Sequence, residues 1–88
     1  MKMTPKEIEQ LSKRIENVLG DVRQERYRQL GMWGDQKHNP IYWIAIAIEE
    51  LGEAAKAALE GDTVVFHGEL IETAAVCVAA VEDIERKE

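Results

Sequence analysis

Six glutamates fall between Ile48 and Glu72, in the stretch IEELGEAAKAALEGDTVVFHGELIE. Four of them form two pairs, Glu50 with Glu53 and Glu69 with Glu72. Residues three apart are neighbours on one face of a helix. Carboxylates gathered at one level repel each other and are costly to desolvate. They can stay solvated on an outer face, take up protons, or bind a hard divalent cation. Oxygen-only ligands suit Mg²⁺ or Mn²⁺. Such an ion would let an acidic protein work on polyphosphate: it reverses the local sign, bridges to phosphate oxygens and activates water. Spacing alone leaves all three outcomes open.

The elements that must position these acids read as helices. Pro40 to Ile48 (PIYWIAIAI) and Thr73 to Val81 (TAAVCVAAV) carry no charge and flank the acidic stretch. No convincing alternation of apolar and polar residues signals a strand, whereas helical periodicity fits throughout. Thr4-Pro5-Lys6-Glu7 is a capping box with proline at the first helical position. Ile8, Leu11, Ile15, Val18 and Val22 then recur at helical spacing and predict a buried stripe. Gly20-Asp21 is a candidate break, with Asp21 capping a continuation to Leu30. The segment from Gly31 to Asn39 reads as a loop.

A second helix is expected from Pro40 to Leu59 or Glu60, ended by Gly61. Its apolar face centres on Ile41, Ile44, Ile48, Leu51 and Ala55. Trp43, Ile46, Ala54 and Ala57 lie on the glutamate side, so this helix is apolar nearly all round and is expected to be covered on several sides. A third helix is expected from about Val64 to Ile84, capped by Asp62 or Thr63, with a fraying tail from Glu85 to Glu88. Glu50 and Glu53 precede Gly61 by eleven and eight residues; Glu69 and Glu72 follow it by eight and eleven. In an antiparallel hairpin the two pairs meet at one level. The fold class is therefore all-α: one domain over residues 1–88, a bundle of three to four helices around a central antiparallel hairpin.

Composition narrows the function classes. A chain of 88 residues buries only a modest core, and oligomerisation is a common supplement. A net charge of −6 argues against a nucleic-acid polymer as partner, which needs clustered Lys and Arg. Met1 to Gln10 has no apolar run, and the uncharged runs are far shorter than the roughly 20 residues that span a bilayer, so no membrane partner is expected. Cys77 is the only cysteine, which excludes an intramolecular disulfide and a cysteine-rich zinc site. Its apolar surroundings predict a core residue in a reducing cytoplasm. His38 and His67 have no histidine at metal spacing and read as solvent-facing. The absence of any E-x-x-H motif demotes a di-iron carboxylate bundle.

Glu49-Glu50-Leu51-Gly52-Glu53 is an E-E-x-x-E motif, and Glu69-Leu70-Ile71-Glu72 is an E-x-x-E. Together with Glu25-Arg26-Tyr27-Arg28-Gln29 and Trp33-Gly34-Asp35-Gln36, they resemble the core of the MazG-like, all-α nucleoside triphosphate pyrophosphohydrolases of the small phage and bacterial type. The resemblance covers roughly Glu25 to Val81. It implies Mg²⁺-dependent cleavage of a (d)NTP between the α and β phosphates, giving (d)NMP and pyrophosphate, as in house-cleaning of dNTPs. It matches Glu50, Glu53, Glu69 and Glu72 to metal ligands, and Glu49, Glu50 and Glu53 to the catalytic acids. Glu49 would hold a second metal or orient water. Glu72 stands where the family has aspartate, so its carboxylate reaches one methylene further. The resemblance also implies a homodimer or homotetramer that completes the bundle.

Around this core, Lys56 lies one turn beyond Glu53, within reach of a phosphate. Trp33 is a base-stacking candidate, with Gln36 or Asn39 as hydrogen-bonding groups. Tyr42 and Trp43 read as core or interface residues. Arg26, Arg28 and Lys37 could counter phosphate charge or pair with surface acids. A second function class, a non-catalytic helical dimerisation module on the same scaffold, would use the apolar faces and leave the acids idle.

Overall fold

The computed structural model describes residues 1–87. Three helices account for almost all of them: α1 (Pro5–Trp33), α2 (Pro40–Leu59) and α3 (Thr63–Lys87). No strand occurs among the described residues. The chain is an all-α bundle with α2 and α3 as the central hairpin.

Local chemistry sets the helix ends. Thr4 and Glu7 form the expected reciprocal capping box: Glu7 N–H donates to Thr4 Oγ1 at 3.2 Å and Thr4 N–H to Glu7 Oε1 at 2.9 Å. Asn39 caps α2, its Oδ1 accepting from Tyr42 N–H at 2.9 Å, with Pro40 in the first turn. The hairpin turn is a Schellman motif. Asp62 N–H reaches Ala57 O and Gly61 N–H reaches Ala58 O, and Gly61 supplies the positive φ of 74°. Asp62 then caps α3 through Val65 N–H at 3.1 Å.

Three expectations about the elements change. Gly20-Asp21 does not interrupt α1, which is one helix of 29 residues; a single glycine costs about 1 kcal/mol in a helix and the neighbouring turns carry it. Trp33 closes α1 rather than lying in a loop, and Gly34 at φ 76° ends the helix. The tail does not fray at Glu85: α3 runs through Arg86 and Lys87, both of which bond to Asp83. Glu88 lies outside the described residues.

Packing also departs from the periodicity. Of the α1 stripe only Val22 is buried and Leu11 half-buried, while Ile8, Ile15 and Val18 are exposed. All buried residues of α1 (Val22, Arg26 and Gln29) lie in its second half. On α2 the expected face is the open one: Ile41, Ile44, Ile48, Leu51 and Ala55 are exposed. The packed face is the glutamate side, where Trp43, Ala54 and Ala57 are buried. The core is Trp43 with Val76 and Ala79, edged by Ile46, Ala47 and Ala80. Cys77, expected inside, is exposed on α3.

α3 packs against both other helices, whereas α1 and α2 do not pack on each other. A groove therefore opens between α1 and α2, floored by α3. By length and composition α3 could cross a membrane, with a mean hydropathy of 1.7 over its most apolar window.

Candidate functional site

Glu50 comes from the packed face of α2, and Glu69 and Glu72 from the facing side of α3. One carboxylate oxygen from each lies within 4.8 Å of the others. The hairpin turn accounts for this meeting, because it sets both helices in the register read from the spacing around Gly61. Glu50 Oε2 and Glu69 Oε2 are buried and have no hydrogen-bond partner among the described residues. A buried acceptor left unpaired is costly. Opposite oxygens around a six-coordinate cation stand roughly 4.2 Å apart for Mg²⁺ and 4.8 Å for Ca²⁺. The donor set is all oxygen, so the three acids fit a single hard divalent ion.

The electrostatics agree with that geometry. Burial, contact with the Glu72 carboxyl and the charges of Glu72, Glu69 and Glu53 push Glu50 up to about 7. Burial, then the charges of Glu72 and Glu53, push Glu69 up to about 7 as well. Two carboxyls that ionise only near neutrality are crowded and desolvated acids, a cost that either protonation or a bound cation relieves.

The remaining acids take different places. Glu53 is exposed and outside the 4.8 Å set, yet its charge acts on both Glu50 and Glu69. Glu49 is exposed and sits on the wall of an adjoining cavity rather than in the cluster.

That cavity, about 240 Å³, fills the groove between α1 and α2. Trp33, Gly34 and Gln36 line it from the end of α1 and the loop that follows, and Trp43, Ile46, Glu49 and Glu50 line it from α2. The structure thus brings Trp33, Gln36, Glu49 and Glu50 together. Lys56 is exposed, lines no part of the cavity and makes no bond to the acids. Asn39 is occupied as a helix cap, and Tyr42 is exposed.

Two features had little sequence signal. Arg26 and Gln29 are polar yet buried, and both line the cavity. Their spacing from Val22, four and seven residues, was the available clue. Arg26 is held by Glu82, donating from Nε at 2.8 Å. The second feature is Asp83, 1% exposed. It accepts from His38 N–H at 2.9 Å, Trp43 Nε1 at 2.8 Å, Lys87 Nζ at 3.2 Å and Arg86 Nη2 at 3.2 Å. These donors, His38 N–H foremost, hold its carboxyl well below the usual carboxylate range. Arg86 also pairs with Asp35, and Lys87 Nζ donates to His38 O at 2.8 Å. The end of α3 is therefore a clasp on the loop that carries Gln36. His38 is half-buried by this clasp and by the Tyr42 and Trp43 rings, not solvent-facing as expected; His67 is exposed.

Comparison with protein families, curated proteins and solved structures finds no match to this chain.

Proposed function

We propose that the protein is a Mg²⁺-dependent nucleotide pyrophosphohydrolase of MazG-like type, releasing pyrophosphate from (d)NTPs, with Mn²⁺ able to substitute. The observation that carries this reading is the meeting of Glu50, Glu69 and Glu72 beside an aromatic-walled cavity. Glu50, Glu69 and Glu72 hold the ion, with Glu53 beside them. When bound, Mg²⁺ neutralises phosphate charge and lowers the pKa of water. Trp33 and Trp43 wall a slot for a flat ring, and the Gln36 amide nitrogen and the Gln29 amide oxygen are the groups left to meet its edge. At about 240 Å³ the slot is smaller than typical ligand pockets, which suits a base, with the phosphates lying toward the acids. Glu53 accepts the proton of the attacking water, and Glu49 orients that water from the cavity wall.

The exposed apolar faces of α1 and α2 support a homodimer or homotetramer. They also favour the second reading, a dimerisation module without catalysis. Glu69 and Glu72 within α3 make a bilayer a costly setting for that helix, which supports a cytoplasmic protein acting on free nucleotides.

Product separation tests the proposal. The protein is incubated with each dNTP and NTP, with Mg²⁺ or with chelator. Monophosphate plus pyrophosphate, lost with chelator and in Glu50→Gln, is the expected result. Diphosphate plus phosphate would place the attack elsewhere and end the assignment. No turnover and no Mg²⁺ binding would leave the dimerisation module.

A further inference from the structure

The cation closest to the acidic cluster comes from α1, outside both acidic motifs. Arg28 places Nη2 3.5 Å from Glu72 Oε1. The same guanidinium donates from Nε to Glu25 Oε1 and from Nη2 to Glu25 Oε2, both at 2.7 Å. This two-point grip fixes the plane of the guanidinium. Glu25 is itself well seated: its side chain is 12% exposed and accepts from Gln29 Nε2 at 3.0 Å. Gln29 in turn lies 3.4 Å from the Glu72 carbonyl oxygen. Arg28 therefore stands on a buried platform, while its own side chain is 46% exposed.

The other basic candidates are committed or distant. Arg26 is buried, and its ion pairs are with Glu82 and Asp35 rather than with any cluster carboxylate. Lys56 makes no bond to the cluster. Among the described residues Arg28 alone forms an ion pair with a cluster carboxylate. As a surface pair at 3.5 Å, its contact with Glu72 adds little to stability. Its position matters more. One guanidinium, already shared with Glu25, offsets at most one of the three cluster carboxylates, so it cannot replace a divalent ion. Its Nη1 also donates to Met32 Sδ at 2.7 Å, so once such an ion takes over Glu72, Arg28 keeps its platform and turns the second N–H of Nη2 toward the cluster. A guanidinium fork matches phosphate oxygens, and a chain of net charge −6 needs a local cation to receive an anion.

We infer that Arg28 receives the phosphate end of the ligand: it pairs loosely with Glu72 in the free protein and turns to diphosphate oxygens when a divalent cation occupies the acids. The inference rests on the pyrophosphohydrolase reading for the identity of the anion, although the binding itself requires no hydrolysis.

Calorimetry with two probes, Mn²⁺ alone and inorganic pyrophosphate at saturating Mn²⁺, tests it on the full chain. Arg28→Gln should weaken pyrophosphate binding about tenfold, the loss of a charge-assisted hydrogen bond. Its Mn²⁺ affinity should stay equal or rise, because a competing charge is gone. Arg28→Lys should regain part of the pyrophosphate affinity. Lys13→Gln removes the same charge about 22 Å along α1 and should change neither. In nucleotide hydrolysis, Arg28→Gln should raise KM more than it lowers kcat. Unchanged pyrophosphate binding in Arg28→Gln overturns the inference, as does loss of Mn²⁺ binding with it, which would mark Arg28 as scaffolding. A wild-type protein that binds pyrophosphate without hydrolysing nucleotides would refute the reaction, while the variant's pyrophosphate affinity still decides Arg28. A wild-type protein that binds no pyrophosphate refutes the inference directly.

Discussion

Glu50 and Glu69 are held toward protonation by burial and by the neighbouring carboxyls, Glu72 foremost, and that has a consequence for stability. Their folded-state values, about 7, lie above the ordinary 4.5, so between these pH values the folded chain binds more protons than the unfolded one. Stability is therefore full below about 4.5 and falls as pH rises through 7. Asp83 acts in the opposite sense. Its carboxyl is depressed below its ordinary 3.8, so its contribution is present above that value and lost as pH falls. In chelator, thermal melting should show a maximum near pH 4 to 5 and a decline toward pH 8. Mg²⁺ should restore the lost stability at pH 8 by binding the ionised acids of the folded state only. Glu69→Gln should flatten the decline and abolish the Mg²⁺ response; a Tm that ignores both pH and Mg²⁺ across this range would show a solvated acidic face. Asp83→Ala should lower Tm more than any substitution in the acidic cluster, since it strands the Trp43 indole and the His38 amide. The cluster acids were readable from their spacing, whereas Asp83 was not. An aspartate in an acidic C-terminal run gives no hint that four donors from a loop, a tryptophan and the helix end converge on it.

At the scale of elements, the chain is punctuated by proline and glycine, and the helix boundaries follow that punctuation closely. Pro40 and Gly61 bound α2 as their backbone chemistry requires. Gly61 at φ 74° and Gly34 at φ 76° have open space where a Cβ would stand, so substitution costs backbone strain alone. Gly61→Ala should cost about 1 kcal/mol in denaturant unfolding. Gly34→Ala should cost more, about 1 to 3 kcal/mol, because its ψ of −172° puts it in a region that only glycine populates freely. Equal, negligible costs would contradict the turn assignments. The packed face of α2 was harder to read. Both of its faces are apolar, and periodicity cannot choose between them. The small residues Ala54 and Ala57 allow close approach to α3, and Trp43 finds its polar partner only on that side; these two facts decide the face. The α1 stripe misled for a related reason: periodicity marks a face that wants cover without saying which chain covers it.

The molecule as a whole is open. Its radius of gyration is 15.2 Å, against about 12 Å for a compact chain of this length. Its accessible surface is 6859 Å², against about 5,200 Å² for a monomer of this mass. The excess is about twice what one partner buries in a standard protein–protein interface. Much of it is the apolar rows Ile41, Ile44, Ile48 and Leu51 on α2 and Ile8, Ile15 and Val18 on α1. Sedimentation should therefore give a multiple of the 10.0 kDa chain mass, with a Tm that rises with concentration. Ile44→Asp together with Ile48→Asp should shift the mass toward the monomer and lower stability. A monodisperse monomer in the unsubstituted protein would mean that these rows stay open to solvent.

Mn²⁺ binding followed by electron paramagnetic resonance, comparing wild type with Glu69→Gln, decides whether the three acids hold an ion. Glu69 belongs to the acidic cluster and not to the cavity wall, so its loss isolates the ion site from any base-binding surface. The wild-type protein should bind the ion and the variant should bind it at least about tenfold more weakly, the loss of one charged ligand interaction. Equal binding in both proteins, or none in the wild type, would contradict the reading of Glu50, Glu69 and Glu72 as a metal centre.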